Sequence, residues 1–149
     1  MRHGTAKAML PIRPLGGTLN PDFHPGFFRM PDSTFFLLRL NDHIVYLNRI
    51  KATLEQEDTF CGTDYHLCKL GKWLYGDGPA QADGIGSAMR AEFDGLFAPH
   101  KAFHEASSIA LEAQKNGDDA SRHAAVTRMH VLSNQLVSIL LKMDSLARA

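Results

Sequence analysis

The side chains of this chain that are best suited to metal chemistry are one cysteine and three histidines, which lie far apart in the sequence. They are His43, Cys68, His100 and His104. One thiolate and three neutral imidazoles can fill the four positions of a tetrahedral zinc site. Such a site forms only if the fold brings all four side chains to a single point.

Each of these side chains also has an ordinary structural interpretation. A histidine beside an apolar helix stripe, such as His43, is commonly a core residue that is hydrogen bonded to a polar neighbour. An isolated cysteine such as Cys68 often packs as a small hydrophobic residue. His100 and His104 lie four residues apart, so they stack on one helix face and can reach the same ion. The alternative for this pair is simple exposure to solvent.

The predicted surroundings of Cys68 favour its thiolate form. A helix is predicted from residue 65 to about residue 75, so Cys68 lies near its start, where the partial positive charge of a helix end favours an anion. Lys69 and Lys72 add positive charge nearby. A thiolate is the form that binds a metal or reacts with an oxidant. The second cysteine, Cys61, has no partner at metal spacing, and we interpret it as structural.

Three further residues are predicted to surround this site or to pack beside it, and they are Asp42, Gly71 and Trp73. Asp42 cannot share a helix face with the adjacent His43, so we expect it to contact a neighbouring helix or the surroundings of the site. Gly71 lies in the predicted helix, where glycine costs about 1 kcal/mol relative to alanine. We expect a glycine there because the backbone packs closely, against Trp73 or against a neighbouring helix.

Apolar residues at steps of three and four predict the helices that must position these side chains. The predicted helices span residues 33–55, 65–75, 87–116 and 120–146, with a loop over residues 76–86. The apolar stripe of the first helix begins at Leu37 and leaves His43 beside it. Pro99 should either kink the third helix or lie in the first turn of a separate helix. The expected fold class is all-α, a four-helix up-and-down bundle with an additional short helix that carries the cysteine.

Length, charge and cysteine content limit the possible classes of function. We expect a flexible tail over residues 1–30, which are rich in proline and glycine, and one helical domain over residues 31–149. Lys and Arg number 16, as do Asp and Glu, and this balance argues against nucleic-acid and membrane partners. Two cysteines are too few for a disulfide framework, and no apolar run suits a signal peptide or a membrane span. We therefore expect a cytoplasmic location.

Three motifs in this order resemble the chemoreceptor zinc-binding domain family, or CZB family. They are Asp42-His43 on an early helix, Cys-Lys-Leu-Gly-Lys-Trp over residues 68–73, and His-x-x-x-His over residues 100–104. The resemblance covers about residues 33–146. It implies a helical bundle, often dimeric, that binds one zinc ion through His43, Cys68, His100 and His104. It also implies regulation of a chemoreceptor or a diguanylate cyclase, which we expect to act here as a separate partner.

The expected function is regulatory and not enzymatic. Four protein ligands close the coordination sphere of zinc, so no bound water remains to be activated. Zinc occupancy should couple to helix packing, because the ligands come from different helical segments. Oxidation of Cys68 to a sulfenic acid would weaken one ligand and provide a second input. The output would be a chemotaxis or cyclic-di-GMP signal.

Three alternatives belong to other classes. A purely structural zinc site would use the same ligands without signalling. A zinc hydrolase would need Cys68 to dissociate and admit water, with Glu105 or Asp42 as the base, and the His-x-x-x-His motif lacks the glutamate of His-Glu-x-x-His proteases. A di-iron oxygen carrier of the hemerythrin kind would need a His-x-x-x-Glu spacing that this sequence does not contain.

Overall fold

The computed structural model describes residues 33–149, and this range is helical without any strand. The helices are α1 (Ser33–Leu54), α2 (Lys69–Leu74), α3 (Gly78–Ile85), α4 (Ser87–Asp94), α5 (Phe97–Asn116) and α6 (Asp119–Arg148). The predicted all-α class is confirmed. The tail predicted for residues 1–30 lies outside the described residues. None of the described helices is long and apolar enough to cross a membrane.

The long helices α5 and α6 form a helical hairpin, and α1 packs against both of them. Gly117 ends α5 in the left-handed conformation, with φ 69°, which glycine adopts without the steric penalty that a Cβ causes. The Asp118 carboxylate then accepts a hydrogen bond from the Ser121 amide at 3.0 Å and caps α6. Because only two residues connect these helices, they must run antiparallel and present one face to each other.

The buried stripe of α1 passes through the first candidate ligand. Its members are Phe36, His43, Leu47, Ile50 and Leu54. The predicted start of the stripe at Leu37 is wrong, because Leu37 is 44% exposed whereas Phe36 is 1% exposed and contacts Trp73. Residues 36, 43 and 50 are spaced by seven, or about two turns, and therefore share a face. His43 consequently lies within the stripe and not beside it.

The segment predicted as a loop over residues 76–86 contains the helix α3, so this prediction is wrong. Pro79 lies in the first turn of α3, where its missing amide hydrogen is not needed and its fixed φ suits a helix. The same reasoning applies to Pro99, which lies in the first turn of α5. Of the two alternatives for Pro99, the structure shows the separate helix, with α4 ending before it.

Helix α2 is shorter than predicted, and the prediction that it carries the cysteine is wrong, because Cys68 precedes it as the N-cap residue. Trp73 anchors this helix. The indole Nε1 of Trp73 donates a hydrogen bond to Gln81 Oε1 at 2.8 Å, and its ring packs edge-on against Phe93. Trp73 also contacts Phe36 on α1. One buried side chain therefore fixes α2 against α1, α3 and α4, and this in turn fixes the position of Cys68, the residue before α2.

Candidate metal centre

Three of the four predicted ligands converge on one point. Cys68 precedes α2, His100 and His104 project from α5, and one potential ligand atom of each lies within 4.8 Å of the other two. The Cys68 Sγ is 3.2 Å from the His100 Nε2. In a tetrahedral zinc site with ordinary bond lengths, a sulfur and a nitrogen ligand lie about 3.5 Å apart. These side chains are thus already spaced almost as one zinc ion requires.

Cys68 and Gly71 are three residues apart because they contact each other across the first turn of α2. Cys68 is the N-cap residue, with an extended backbone, and its Sγ accepts a hydrogen bond from the Gly71 amide at 3.1 Å. A Cβ at residue 71 would overlap the carbonyl oxygen of Tyr65. Close packing of the backbone therefore explains this glycine, but its partner is the segment before α2. The predicted partners, Trp73 or a neighbouring helix, are wrong.

The ring of His104 is oriented by a backbone carbonyl. Its Nδ1 lies 2.9 Å from the carbonyl oxygen of Thr63, a distance at which Nδ1–H donates a hydrogen bond. This hydrogen bond selects the tautomer whose Nε2 carries the free lone pair. Histidines that bind metals usually have such a support on the second ring nitrogen. His104 is therefore prepared to bind a metal through Nε2.

His43 lies beside these three residues but does not join them. It lines the same cavity of about 210 Å³, which Cys68, His100 and His104 also line. Its Nε2 is 2.9 Å from the Ser133 Oγ on α6, and it is absent from the group of converging ligand atoms. The hydrogen bond with Ser133 is the ordinary arrangement of a buried histidine. The role of His43 as fourth ligand therefore stays a prediction.

Burial keeps the histidines of the site neutral. It lowers the pKa of His43 to about 4, with a further contribution from the charge of His104. It lowers the pKa of His100 to about 3, with contributions from His104, His43 and His66. The pKa of His104 is also lowered by burial, against the opposing effects of its hydrogen bond to Thr63 and of Asp64. Neutral imidazole is the form that binds a metal, so no proton has to leave these rings near pH 7.

The prediction of a stabilised thiolate at Cys68 is wrong. Burial raises the pKa of the Cys68 thiol, and this effect outweighs the backbone amides of Gly71 and Leu70, which lower it. Asp42 and Asp64 raise the pKa further. Lys69, which was expected to favour the thiolate, forms an ion pair with Asp42 at 3.2 Å. Binding of a metal by this sulfur therefore includes release of the thiol proton.

Asp42 connects α1 to α2 beside the cysteine. Its carboxylate forms ion pairs with Lys69 at 3.2 Å and with Arg39 at 3.0 Å. Glu105, the other carboxylate considered as a base for a hydrolase, is paired with Lys101 at 4.0 Å and is more than half exposed. Both carboxylates are thus engaged by cations.

Sequence reasoning missed the groups that hold the ligands. The Ser133 hydroxyl and the Thr63 carbonyl contact His43 and His104, respectively, and Tyr46 contacts Thr63. Ser133 is 90 residues away from His43, and the contact made by Thr63 is a backbone carbonyl, which every residue has. A sequence feature that could have indicated this support is Tyr46, because it lies one helical turn after His43 and shares its side of α1.

Comparison with known proteins supports zinc as the metal. The family model described as the chemoreceptor zinc-binding domain matches residues 43–111. This match spans all four candidate ligands and confirms the resemblance that the motifs indicated. No curated protein and no solved structure matched the chain. A donor set of one cysteine and several histidines also fits zinc on chemical grounds, because zinc binds thiolate and imidazole ligands in tetrahedral sites.

Proposed function

We propose that this protein is a zinc-binding regulatory protein whose zinc occupancy modulates a signalling partner. The observation that carries the proposal is the convergence of Cys68, His100 and His104, which line one cavity. The family match over residues 43–111 supports zinc and a signalling role. Burial of several imidazoles and a thiol is less favourable in free energy than burial of apolar side chains. Metal binding offsets this cost and accounts for the cluster.

His43 is the fourth ligand in this proposal. It lies on the same cavity, is only 4% exposed and stays neutral at physiological pH, so it meets the chemical requirements of a zinc ligand. The ligands then come from α1, from the start of α2 and from α5, and metal occupancy is coupled to the packing of these elements. With four protein ligands, zinc has no open position for a reacting water, which favours regulation over catalysis.

A second input acts on the same site. Cys68 is partly exposed and lines the cavity, so a small peroxide can reach its sulfur. Because burial raises the pKa of the thiol, Cys68 must first lose its proton. Attack of the resulting thiolate on the peroxide bond gives the sulfenic acid and releases hydroxide, or alkoxide from an organic peroxide, a two-electron oxidation of sulfur. The oxidised sulfur is a weaker ligand. Zinc loss and thiol oxidation would therefore have the same consequence for helix packing.

The proposed partner is a chemoreceptor or a diguanylate cyclase that the protein contacts as a homodimer in the cytoplasm. This part of the proposal rests on the resemblance of the motifs to a family described as a chemoreceptor domain. The absence of net charge in the sequence favours a protein partner over nucleic acid or an anionic membrane. The resulting output would be a chemotaxis or cyclic-di-GMP response.

Metal analysis of protein purified without added metal tests the zinc site. We expect about one zinc per chain in the parent protein and much less in Cys68→Ser and His104→Ala, because each removes one of four ligands. His123→Ala is the matched control, since His123 is an exposed histidine of α6. Absence of zinc from the parent, or equal zinc in the parent and Cys68→Ser, would overturn the proposal.

One observation favours a second candidate function. The hydrogen bond between His43 and Ser133 leaves three converging ligand atoms, and three protein ligands with one water are typical of catalytic zinc sites. X-ray absorption spectroscopy of the zinc protein separates the two candidates. One sulfur and three imidazole nitrogens indicate the regulatory site. One sulfur, two imidazoles and a solvent oxygen, with a spectrum unchanged in His43→Ala, indicate an open site.

A further inference from the structure

A chain of hydrogen bonds connects α1 to the ligand His104 on α5. The Thr63 amide donates to the Tyr46 hydroxyl oxygen at 2.9 Å, and the same hydroxyl lies 3.4 Å from the Thr63 carbonyl oxygen. That carbonyl accepts the hydrogen bond from His104 Nδ1 at 2.9 Å. Tyr46 thus holds both backbone polar groups of the residue that orients the ligand.

The ring of Tyr46 packs against the same ligand that its hydroxyl supports through Thr63. The ring centroids of Tyr46 and His104 are 4.7 Å apart, and Phe60 contacts Tyr46 at 5.1 Å. Tyr46 is half-buried, and it lines the cavity together with Cys68 and His104. Removal of the whole Tyr46 side chain would therefore affect His104 through both the ring contact and the hydrogen bonds. Deletion of the hydroxyl alone affects only the hydrogen bonds.

The connector between α1 and α2, residues 55–68, is shaped to approach the Tyr46 hydroxyl. Gly62 has φ 77°, a left-handed conformation that favours glycine. A Cβ at this position would lie 3.2 Å from the Tyr46 hydroxyl oxygen, which is tighter than usual packing. The glycine therefore allows the backbone of the next residue, Thr63, to reach both Tyr46 and His104.

We propose that Tyr46 is a positioning residue of the metal centre, which orients His104 through Thr63 and ties α1 to the site. This inference rests on the proposed zinc-binding function. Without the Tyr46 hydroxyl, the Thr63 peptide is free to rotate, and His104 loses the fixed acceptor that selects its tautomer. Since α1 also carries His43, the site would hold this helix at two points, one turn apart. Displacement of α1 is then the structural change that zinc release produces.

Tyr46→Phe tests the inference, because it removes the hydroxyl and keeps the ring. Tyr75→Phe is the matched control, since among the described residues the Tyr75 hydroxyl has no assigned hydrogen bond and Tyr75 is 43% exposed. In competition with a chromophoric chelator, we expect Tyr46→Phe to bind zinc about tenfold more weakly than the parent, the usual size of an effect from a group that supports a ligand. The control should bind zinc with the affinity of the parent.

A second measurement separates positioning from general loosening of the fold. In nitrogen-15 spectra of the histidine side chains of the zinc form, the parent should show an Nδ1–H of His104 that exchanges slowly with solvent. In Tyr46→Phe this proton should exchange faster, while thermal unfolding of the apo protein changes little. Hydrogen exchange of the backbone amides of the connector should be slowed by zinc in the parent and in Tyr75→Phe, but less so in Tyr46→Phe.

The outcomes distinguish this inference from the proposed function. If the parent binds zinc and Tyr46→Phe binds it equally well, Tyr46 does not position the ligand, and the proposed function stands. If the parent does not bind zinc, both fail. Should Tyr46→Phe not fold, Gly62→Ala replaces it, because its Cβ would press on the hydroxyl while Tyr46 remains. Unchanged zinc affinity in that variant would also overturn the inference.

Discussion

The two sides of the candidate metal centre are built in different ways. On one side, one potential ligand atom each of Cys68, His100 and His104 lies within 4.8 Å of the others. The Gly71 amide at the start of α2 contacts Cys68, and the Thr63 carbonyl contacts His104. On the other side, His43 projects from α1 and is hydrogen bonded to Ser133 on α6. The first side is arranged for a metal. On the second side, His43 already has a protein partner, so its proposed role as a ligand would require a change of contacts.

This difference suggests how a regulatory site works. A site with all ligands in place binds metal with little structural change, and a conformational signal needs a ligand whose contacts differ between two states. Under the proposed function His43 meets that condition, because it would exchange its contact with Ser133 for one with the metal. Helix α1 would then report occupancy.

The largest effect is expected on the side of the preformed ligands, from Gly71→Ala. The new Cβ would overlap the Tyr65 carbonyl, a backbone atom that can only move together with the segment leading into Cys68. We expect a loss of about 3 kcal/mol in the free energy of unfolding, near the upper end for overpacking, and loss of most zinc binding. Chemical denaturation and metal analysis measure the two effects.

Gly95→Ala is the control for this substitution. Gly95 has right-handed helical dihedral angles, and a Cβ there would lie 3.2 Å from the Glu92 carbonyl oxygen, a tight contact without the overlap found at residue 71. We expect its stability to change little and its zinc content to match that of the parent. If Gly71→Ala behaved like Gly95→Ala, the close approach of the Tyr65 carbonyl would not be what positions Cys68.

Acid should destabilise the apo protein through both sides of the centre. The pKa values of His43 and His100 are lowered to about 4 and about 3, from an ordinary value of 6.5. Below pH 6.5 the unfolded chain therefore binds protons that the folded protein does not, so this part of the stability is complete above pH 6.5 and is lost as the pH falls towards 4. We expect a loss on the order of 1 kcal/mol per pH unit for each of the two histidines, measured by urea denaturation in the presence of a chelator.

Substitutions of single histidines test whether the buried histidines of the metal centre cause this pH dependence. His43→Leu should reduce the slope of stability against pH, because one buried imidazole is gone. His123→Ala, which removes an exposed histidine, should leave the slope as it is in the parent. An apo protein whose stability did not change between pH 7 and pH 5 would show that the histidines are not buried as the structure places them.

The smallest effect is expected from Ser133→Ala, and it addresses the α1 side directly. Ser133 is buried, and loss of its hydrogen bond to His43 should destabilise the apo protein by about 1 kcal/mol. If His43 leaves Ser133 to bind zinc, the variant no longer gives up this hydrogen bond, and it should bind zinc about fivefold more tightly. Chelator competition measures this change.

Ser107→Ala is the matched control for Ser133→Ala. Ser107 is equally buried, but its hydroxyl donates to the Phe103 carbonyl within α5. We expect a small loss of stability with unchanged zinc affinity. Weaker zinc binding by Ser133→Ala would mean that the hydrogen bond to His43 persists in the zinc form, and that α1 does not exchange its contacts.

Much of the fold was predictable because helical periodicity is a local property. The steps of three and four residues located α1 and α6 nearly to their ends, together with the end of α5, and they placed His100 and His104 on one face. The errors lie where local signals compete. The predicted loop over residues 76–86 omits α3, because Pro79 suits a loop as well as the first turn of a helix. Phe36 and Leu37 are adjacent apolar residues that only packing against Trp73 distinguishes.

The sequence by itself determined the chemistry of the site, because residue types and short spacings specify which ligands exist and which of them share a helix. Tertiary structure alone decided how these ligands are held. The hydrogen bond from His43 to Ser133, the support of His104 by Thr63 and Tyr46, and the raised pKa of Cys68 all depend on burial and on contacts between distant segments. Such contacts arise when helices pack together, and no local pattern encodes them.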